Sequence, residues 1–127
     1  MATILVVDDE CAIADMLAEF VSRLGHSVVV AYDIPSVMPL FQEKKPQMAL
    51  LDFMMPGGDG SQVLKSLRST NEGAKMPVVF LSAMPRHQVE SRVTDHTNVQ
   101  FMEKPVNFGA LKAAIEQAVR GSPPATA

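Results

Sequence analysis

Three aspartates, a serine and a lysine stand where short apolar runs stop. Asp8 and Asp9 follow Ile4–Val7, Asp52 follows Met48–Leu51, Ser82 follows Val78–Leu81, and Lys104 comes just after Val99–Met102. If those runs are strands of one sheet, with the first and third as neighbours, three carboxylates crowd into one small space. Two carboxylates about 4–5 Å apart repel by roughly 3–4 kcal/mol at an effective dielectric near 20. A hard cation resolves that conflict, and oxygen ligands that leave room for water suit Mg²⁺. A carboxylate beside such an ion can attack phosphorus in line. The metal and the Lys104 ammonium would then offset charge on the equatorial oxygens, and the Ser82 hydroxyl could donate to a third. A lone aspartate or glutamate in a loop is ordinarily a solvated turn or a helix cap, and Glu10 and Asp59 read that way. Placement at strand ends is what sets Asp8, Asp9 and Asp52 apart. Other chemistries have weaker support: His26, His87 and His96 fall at no strand end and read as surface residues. Cys11 has no histidine near it in sequence, and the nine methionines read as core filler.

The elements that must position these residues are legible in the hydrophobic pattern. Ile4-Leu5-Val6-Val7 is β-rich and unbroken, as a strand buried on both faces requires. Ile13, Met16, Leu17, Phe20 and Leu24 then recur at helical spacing as far as Gly25, a residue suited to the left-handed turn after a helix. Val28–Val30 gives a second strand. Asp33 can cap a second helix with Pro35 in its first turn, but Pro39 cannot donate to the Pro35 carbonyl and would clash with it. That helix must therefore kink or begin late. Met48–Leu51 is the third strand; the turn Pro56-Gly57-Gly58-Asp59-Gly60 leads to a helix carrying Val63, Leu64 and Leu67. Val78–Leu81 is the fourth strand, and Arg86 to Asp95 reads as a helix with Val89 and Val93 one turn apart. Val99–Met102 is the fifth strand, and the last helix starts near Asn107 and presents Leu111, Ile115 and Ala118 on one face. Five strand–helix alternations imply an α/β fold: a single doubly wound, five-stranded parallel sheet with helices on both faces and right-handed crossovers. In such a sheet, function gathers at the carboxyl ends of the strands.

Bulk properties narrow the classes. With 127 residues the chain fits one domain around one sheet, expected over residues 1–120, with linker or frayed-tail composition over 121–127. A formal charge of −3 argues against a nucleic-acid-binding module. No apolar run reaches the roughly 18 residues of a membrane span, and Ile4–Val7 is too short for a signal peptide. One cysteine permits no internal disulfide, so a cytoplasmic protein is expected.

Four segments together resemble the receiver domains of two-component response regulators: Val7-Asp8-Asp9-Glu10, Leu51-Asp52-Phe53-Met54-Met55-Pro56-Gly57-Gly58-Asp59-Gly60, Leu81-Ser82-Ala83, and Phe101-Met102-Glu103-Lys104-Pro105. They span nearly the whole chain in the family's order and spacing. The resemblance implies the flavodoxin-like strand order 2-1-3-4-5 and makes Asp52 the phosphoacceptor, fed by a sensor histidine kinase or a phosphotransfer protein. It implies Mg²⁺ held by the carboxylates of Asp9 and Asp52 and the backbone carbonyl of Met54, with Asp8 acting mainly through water. Lys104 would pair with the phosphoryl oxygens, its bond to Pro105 being cis. Ser82 would move to the phosphoryl group, Ala83 would offer a backbone N–H, and Phe101 would turn inward behind the displaced Ser82. The output surface, and the face for a homodimer, would be the fourth helix, fifth strand and fifth helix. The domain would assist its own phosphorylation and dephosphorylation without being an enzyme in the usual sense.

Some features depart from that pattern. Met84-Pro85-Arg86-His87 carries an unusual proline just after Ser82, and Asp95-His96-Thr97-Asn98 replaces a common glycine-containing loop. Both flank the output helix. The alternative from another class is a small Mg²⁺-dependent phosphohydrolase with an aspartyl nucleophile. Such enzymes typically separate their first two aspartates by one residue and carry a cap insertion, whereas Asp8 and Asp9 are adjacent and no long insertion is present. A partner-binding pseudo-receiver is a third reading, weakened because no active-site position is missing.

Overall fold

The computed structural model describes residues 2–121. Five parallel strands form one sheet: β1 (Thr3–Val7), β2 (Ser27–Ala31), β3 (Met48–Asp52), β4 (Val78–Ser82) and β5 (Val99–Glu103), in the spatial order β2-β1-β3-β4-β5. The helices are α1 (Cys11–Arg23), α2 (Val37–Lys44), α3 (Gly60–Arg68), α4 (Arg86–Arg92) and α5 (Phe108–Gly121). This is the expected flavodoxin-like order.

Period-two alternation along the inner strands feeds two cores. Leu5, Val7, Ala49, Leu51, Val78 and Phe80 point to the face covered by α2, α3 and α4, where Phe41, Leu64, Leu67 and Val89 meet them. Ile4, Val6, Met48, Leu50, Val79 and Leu81 point to the other face, under α1 and α5, where Leu17, Val21, Leu111 and Ile115 close the layer. Because both faces are covered, β3 and β4 are buried along their whole length. That is why these strands read as continuous apolar runs and not as alternating ones.

The second helix takes one of the two expected alternatives, and two other segments differ from the sequence expectation. The second helix begins late, at Val37, so Pro39 sits in its first turn, where a missing N–H has no helical partner to lose. Asp33 caps the turn before it, its Oδ1 accepting from the Ser36 N–H at 2.9 Å. The fourth helix stops at Arg92 instead of reaching Asp95. Val93 is extended (φ −105°, ψ 122°), which carries its side chain into the core, and the last carbonyls are met by His96. The loop after Asp52 is more regular than expected: Met54–Met55 and Gly58–Asp59 pair as a short antiparallel hairpin. Its turn places Gly57 at φ +91°, a left-handed conformation that favours glycine. At the C-terminal end α5 runs to Gly121, and the expected tail beyond it lies outside the described residues.

Candidate functional site

Val7 pairs with Leu51 in the β1–β3 register, so the residues that follow, Asp8 and Asp52, leave their strands side by side. Asp9 comes next in the turn to α1. The three carboxylates each offer an oxygen within 4.8 Å of the other two. Asp8 is 1% exposed and Asp52 7%, while Asp9 is more open to solvent. Lys104 reaches this cluster from β5. Its backbone N–H donates to the Ser82 carbonyl at 2.7 Å, and its ammonium lies 3.2 Å from Asp8 Oδ2 and 3.5 Å from Asp52 Oδ1. The Lys104–Pro105 bond is cis. Asp8 is further fixed by the Glu10 N–H, which donates to its Oδ1 at 3.0 Å.

One ammonium does not balance three carboxylates. Burial, then the charge of Asp8 and more weakly of Asp9, push the Asp52 carboxyl up to about 7 against the opposing pull of Lys104. For Lys104, burial acts to lower the pKa, but Asp52 and Asp8 outweigh it and hold the ammonium above its usual range. An all-oxygen donor set, two of its three carboxylates buried, with excess negative charge fits a hard divalent cation. Asp8, Asp9 and Asp52 are the residues that could hold it.

Ser82 ends β4, is 3% exposed, and its Oγ accepts from the Met84 N–H at 3.0 Å. Phe101 faces inward, 7% exposed, nearly parallel to Phe80 at 5.8 Å between ring centroids and tilted against His96 at 5.3 Å. The resemblance implied that the ring turns inward behind a displaced Ser82. Here it is inward while Ser82 keeps its local bond, because Phe80 and His96 already form a slot for it. Met54, in the hairpin, is 48% exposed; Met84 is half-buried against the core.

Two contacts at the ends of α4 were not anticipated by sequence reasoning. His96 is no free surface histidine: its Nε2 lies 2.7 Å from the Val93 carbonyl and 3.0 Å from that of Glu90, and its ring packs on Phe101. Glu103 was visible only as part of a motif, yet its carboxylate accepts the first N–H of α4 at 2.8 Å. Neither contact leaves a mark in hydrophobic periodicity.

Residues 4–116 match the response regulator receiver domain family, and the chain belongs to it. Among curated proteins it is 27% identical over 120 residues to the transcriptional regulatory protein YxdJ of Bacillus subtilis (strain 168). That match takes in 94% of this chain and 51% of YxdJ, so the chain spans about half the length of that relative. Among solved structures, a two-component response regulator from Clostridium difficile superposes with a TM-score of 0.86 at 21% identity, over 95% of this chain and 98% of that one. The receiver domain of the Francisella response regulator 1452 gives 0.77 at 26% identity, over 94% and 98%. The fold and family are thus those of a two-component signalling receiver, a class that generally signals and does not catalyse. Among the described residues no helix is long and apolar enough to cross a membrane.

Proposed function

We propose that this receiver is a switch operated by phosphorylation of Asp52, with a sensor histidine kinase or phosphotransfer protein as donor and Mg²⁺ as cofactor. The observation that carries this reading is the buried carboxylate of Asp52, held between a second buried acid, Asp8, and the ammonium of Lys104. Asp9 and Asp52 would hold the ion through their carboxylates and Met54 through its carbonyl, with Asp8 acting mainly through water. When bound, Mg²⁺ supplies the positive charge that the cluster lacks and offsets charge on the transferring phosphoryl oxygens.

The chain's own residues do the rest. An ionised carboxylate oxygen of Asp52 attacks phosphorus as the P–N bond to the donor's phosphohistidine breaks and the donor imidazole leaves; Lys104 stands within reach of the incoming phosphoryl oxygens. Ser82 can turn its hydroxyl toward the same group and leave its local bond to the Met84 N–H. The added charge and acceptor oxygens bias the loops by the difference in their contacts between the two arrangements, about 1–3 kcal/mol. The surface that reads this out is α4, β5 and α5, for a partner, an attached output domain or a second copy of the chain.

The test is intact-mass measurement after incubation with acetyl phosphate and Mg²⁺. Wild type gains one phosphoryl group and Asp52→Asn gains none; undiminished labelling of the variant would remove Asp52 from this role.

A further inference from the structure

Helix α4 begins without a cap of its own. Its N-cap residue is Pro85, whose side chain offers no acceptor, and its first turn carries no acid. The Arg86 N–H, the first of the helix, is taken by Glu103 Oε2 from the end of β5. The Arg86 guanidinium is engaged elsewhere, Nε lying 2.9 Å from Glu90 Oε2, so Glu103 grips the backbone of α4.

The position of Glu103 gives that grip its consequence. Ser82 and Glu103 are register partners on β4 and β5, one pleat beyond the Phe80–Phe101 pair, so their side chains share one face of the sheet. Residues 83–85 alone separate Ser82 from Arg86. That short loop is fixed at its start by the Ser82–Met84 bond and at its end by Glu103. Turning the Ser82 hydroxyl toward Asp52 gives up its bond to the Met84 N–H, and any accompanying shift of residues 83–85 works against the Glu103 bond to the Arg86 N–H. The far end of α4 is held separately, by His96 on the Val93 and Glu90 carbonyls.

We propose that Glu103 is a positioning residue for the phosphoacceptor site: its carboxylate holds the start of α4, and through it the Ser82 loop, in the resting arrangement. This rests on the reading of Asp52 as phosphoacceptor. Removing the cap raises the fraction of molecules already competent to close on a phosphoryl group, and apparent affinity rises in proportion to that fraction. One side-chain cap corresponds to roughly a fivefold change.

The experiment uses Mg²⁺ with beryllofluoride as a phosphoryl analogue, titrated into wild type, Glu103→Ala and Glu103→Gln and followed by amide NMR. Hydrogen exchange at the Arg86 N–H is measured in the free proteins. Glu103 is exposed, so both variants should fold. The expected result is roughly fivefold tighter binding and faster Arg86 exchange in Glu103→Ala, with Glu103→Gln close to wild type because its amide oxygen still accepts. Equal behaviour of Ala and Gln would mean that only charge beside Lys104 matters, and would overturn the proposal. Unchanged or weaker binding in Glu103→Ala, with wild type binding normally, overturns it alone. A wild type that does not bind the analogue at all overturns the reading of Asp52 and this inference with it.

Discussion

At Asp52, burial and neighbouring acids favour the protonated form while the chemistry requires the ionised one, and the residues around the carboxylate decide the balance. The same neighbourhood bears on how long a phosphoryl group would last. An acyl phosphate is lost when water attacks in line, and in the proposed site the side chains two residues beyond Asp52 and Ser82 would flank that approach. Both are methionines, Met54 exposed in the hairpin and Met84 half-buried beside Ser82. A thioether neither orients a water well nor acts as a base, and its bulk would help to keep solvent off the phosphoryl group. Slow loss of the label is therefore expected, and Met54→Asn with Met84→Glu should speed it about tenfold, which needs only about 1.4 kcal/mol of transition-state stabilisation. The rate of phosphate loss after removal of the donor, at fixed Mg²⁺, measures this. An unchanged rate in the double variant would show that the two methionines do not set the lifetime.

At the scale of elements, a single guanidinium joins three segments. Arg68, in the last turn of α3, donates through Nη1 to the carbonyls of Gly73 and Met76 and through Nη2 to that of Thr97, each at 2.7 Å. It thereby ties the loop into β4 to the loop between α4 and β5. Hydrogen bonds from a charged donor contribute about 1.5–3 kcal/mol. Arg68→Ala should cost at least that much in chemical denaturation, and Arg68→Lys should recover little, since one ammonium nitrogen cannot span carbonyls that two guanidinium nitrogens reach. Full recovery by lysine would mean that charge and not geometry holds the loops. No sequence pattern announced Arg68, because its partners are backbone carbonyls whose identity is invisible in side-chain types. The strands were legible because both sheet faces are covered, which turned Ile4–Val7 and Val78–Leu81 into unbroken apolar runs. The cluster of Asp8, Asp9, Asp52, Ser82 and Lys104 was legible because each residue abuts such a run. The early end of α4 was not: Val89 and Val93 are both buried and sit at helical spacing, and only the backbone shows that Val93 enters the core from an extended conformation.

At the scale of the molecule, the proposed Mg²⁺ site should make stability depend on pH and on Mg²⁺ together. The Asp52 carboxyl, pushed up to about 7 in the folded chain, has an ordinary pKa near 3.9 when unfolded. Between those values the folded state binds more protons than the unfolded one, so this group's contribution to stability falls as pH rises toward 7 and is level above it. A cation that binds ionised Asp52 opposes that loss. The gain in Tm on adding Mg²⁺ should therefore be small at about pH 5 and larger at about pH 8, and Asp52→Asn should flatten the difference. A gain independent of pH would place the ion elsewhere.

The central claim, that Asp52 itself carries the phosphoryl group, is tested most directly by chemical mapping. After reaction with acetyl phosphate and Mg²⁺, borohydride reduces an aspartyl phosphate to homoserine, and fragmentation of the peptides locates the altered residue. The account predicts homoserine at position 52 alone, lost when Mg²⁺ is withheld; homoserine at Asp8 or Asp9, or a label that appears equally without the ion, would contradict it.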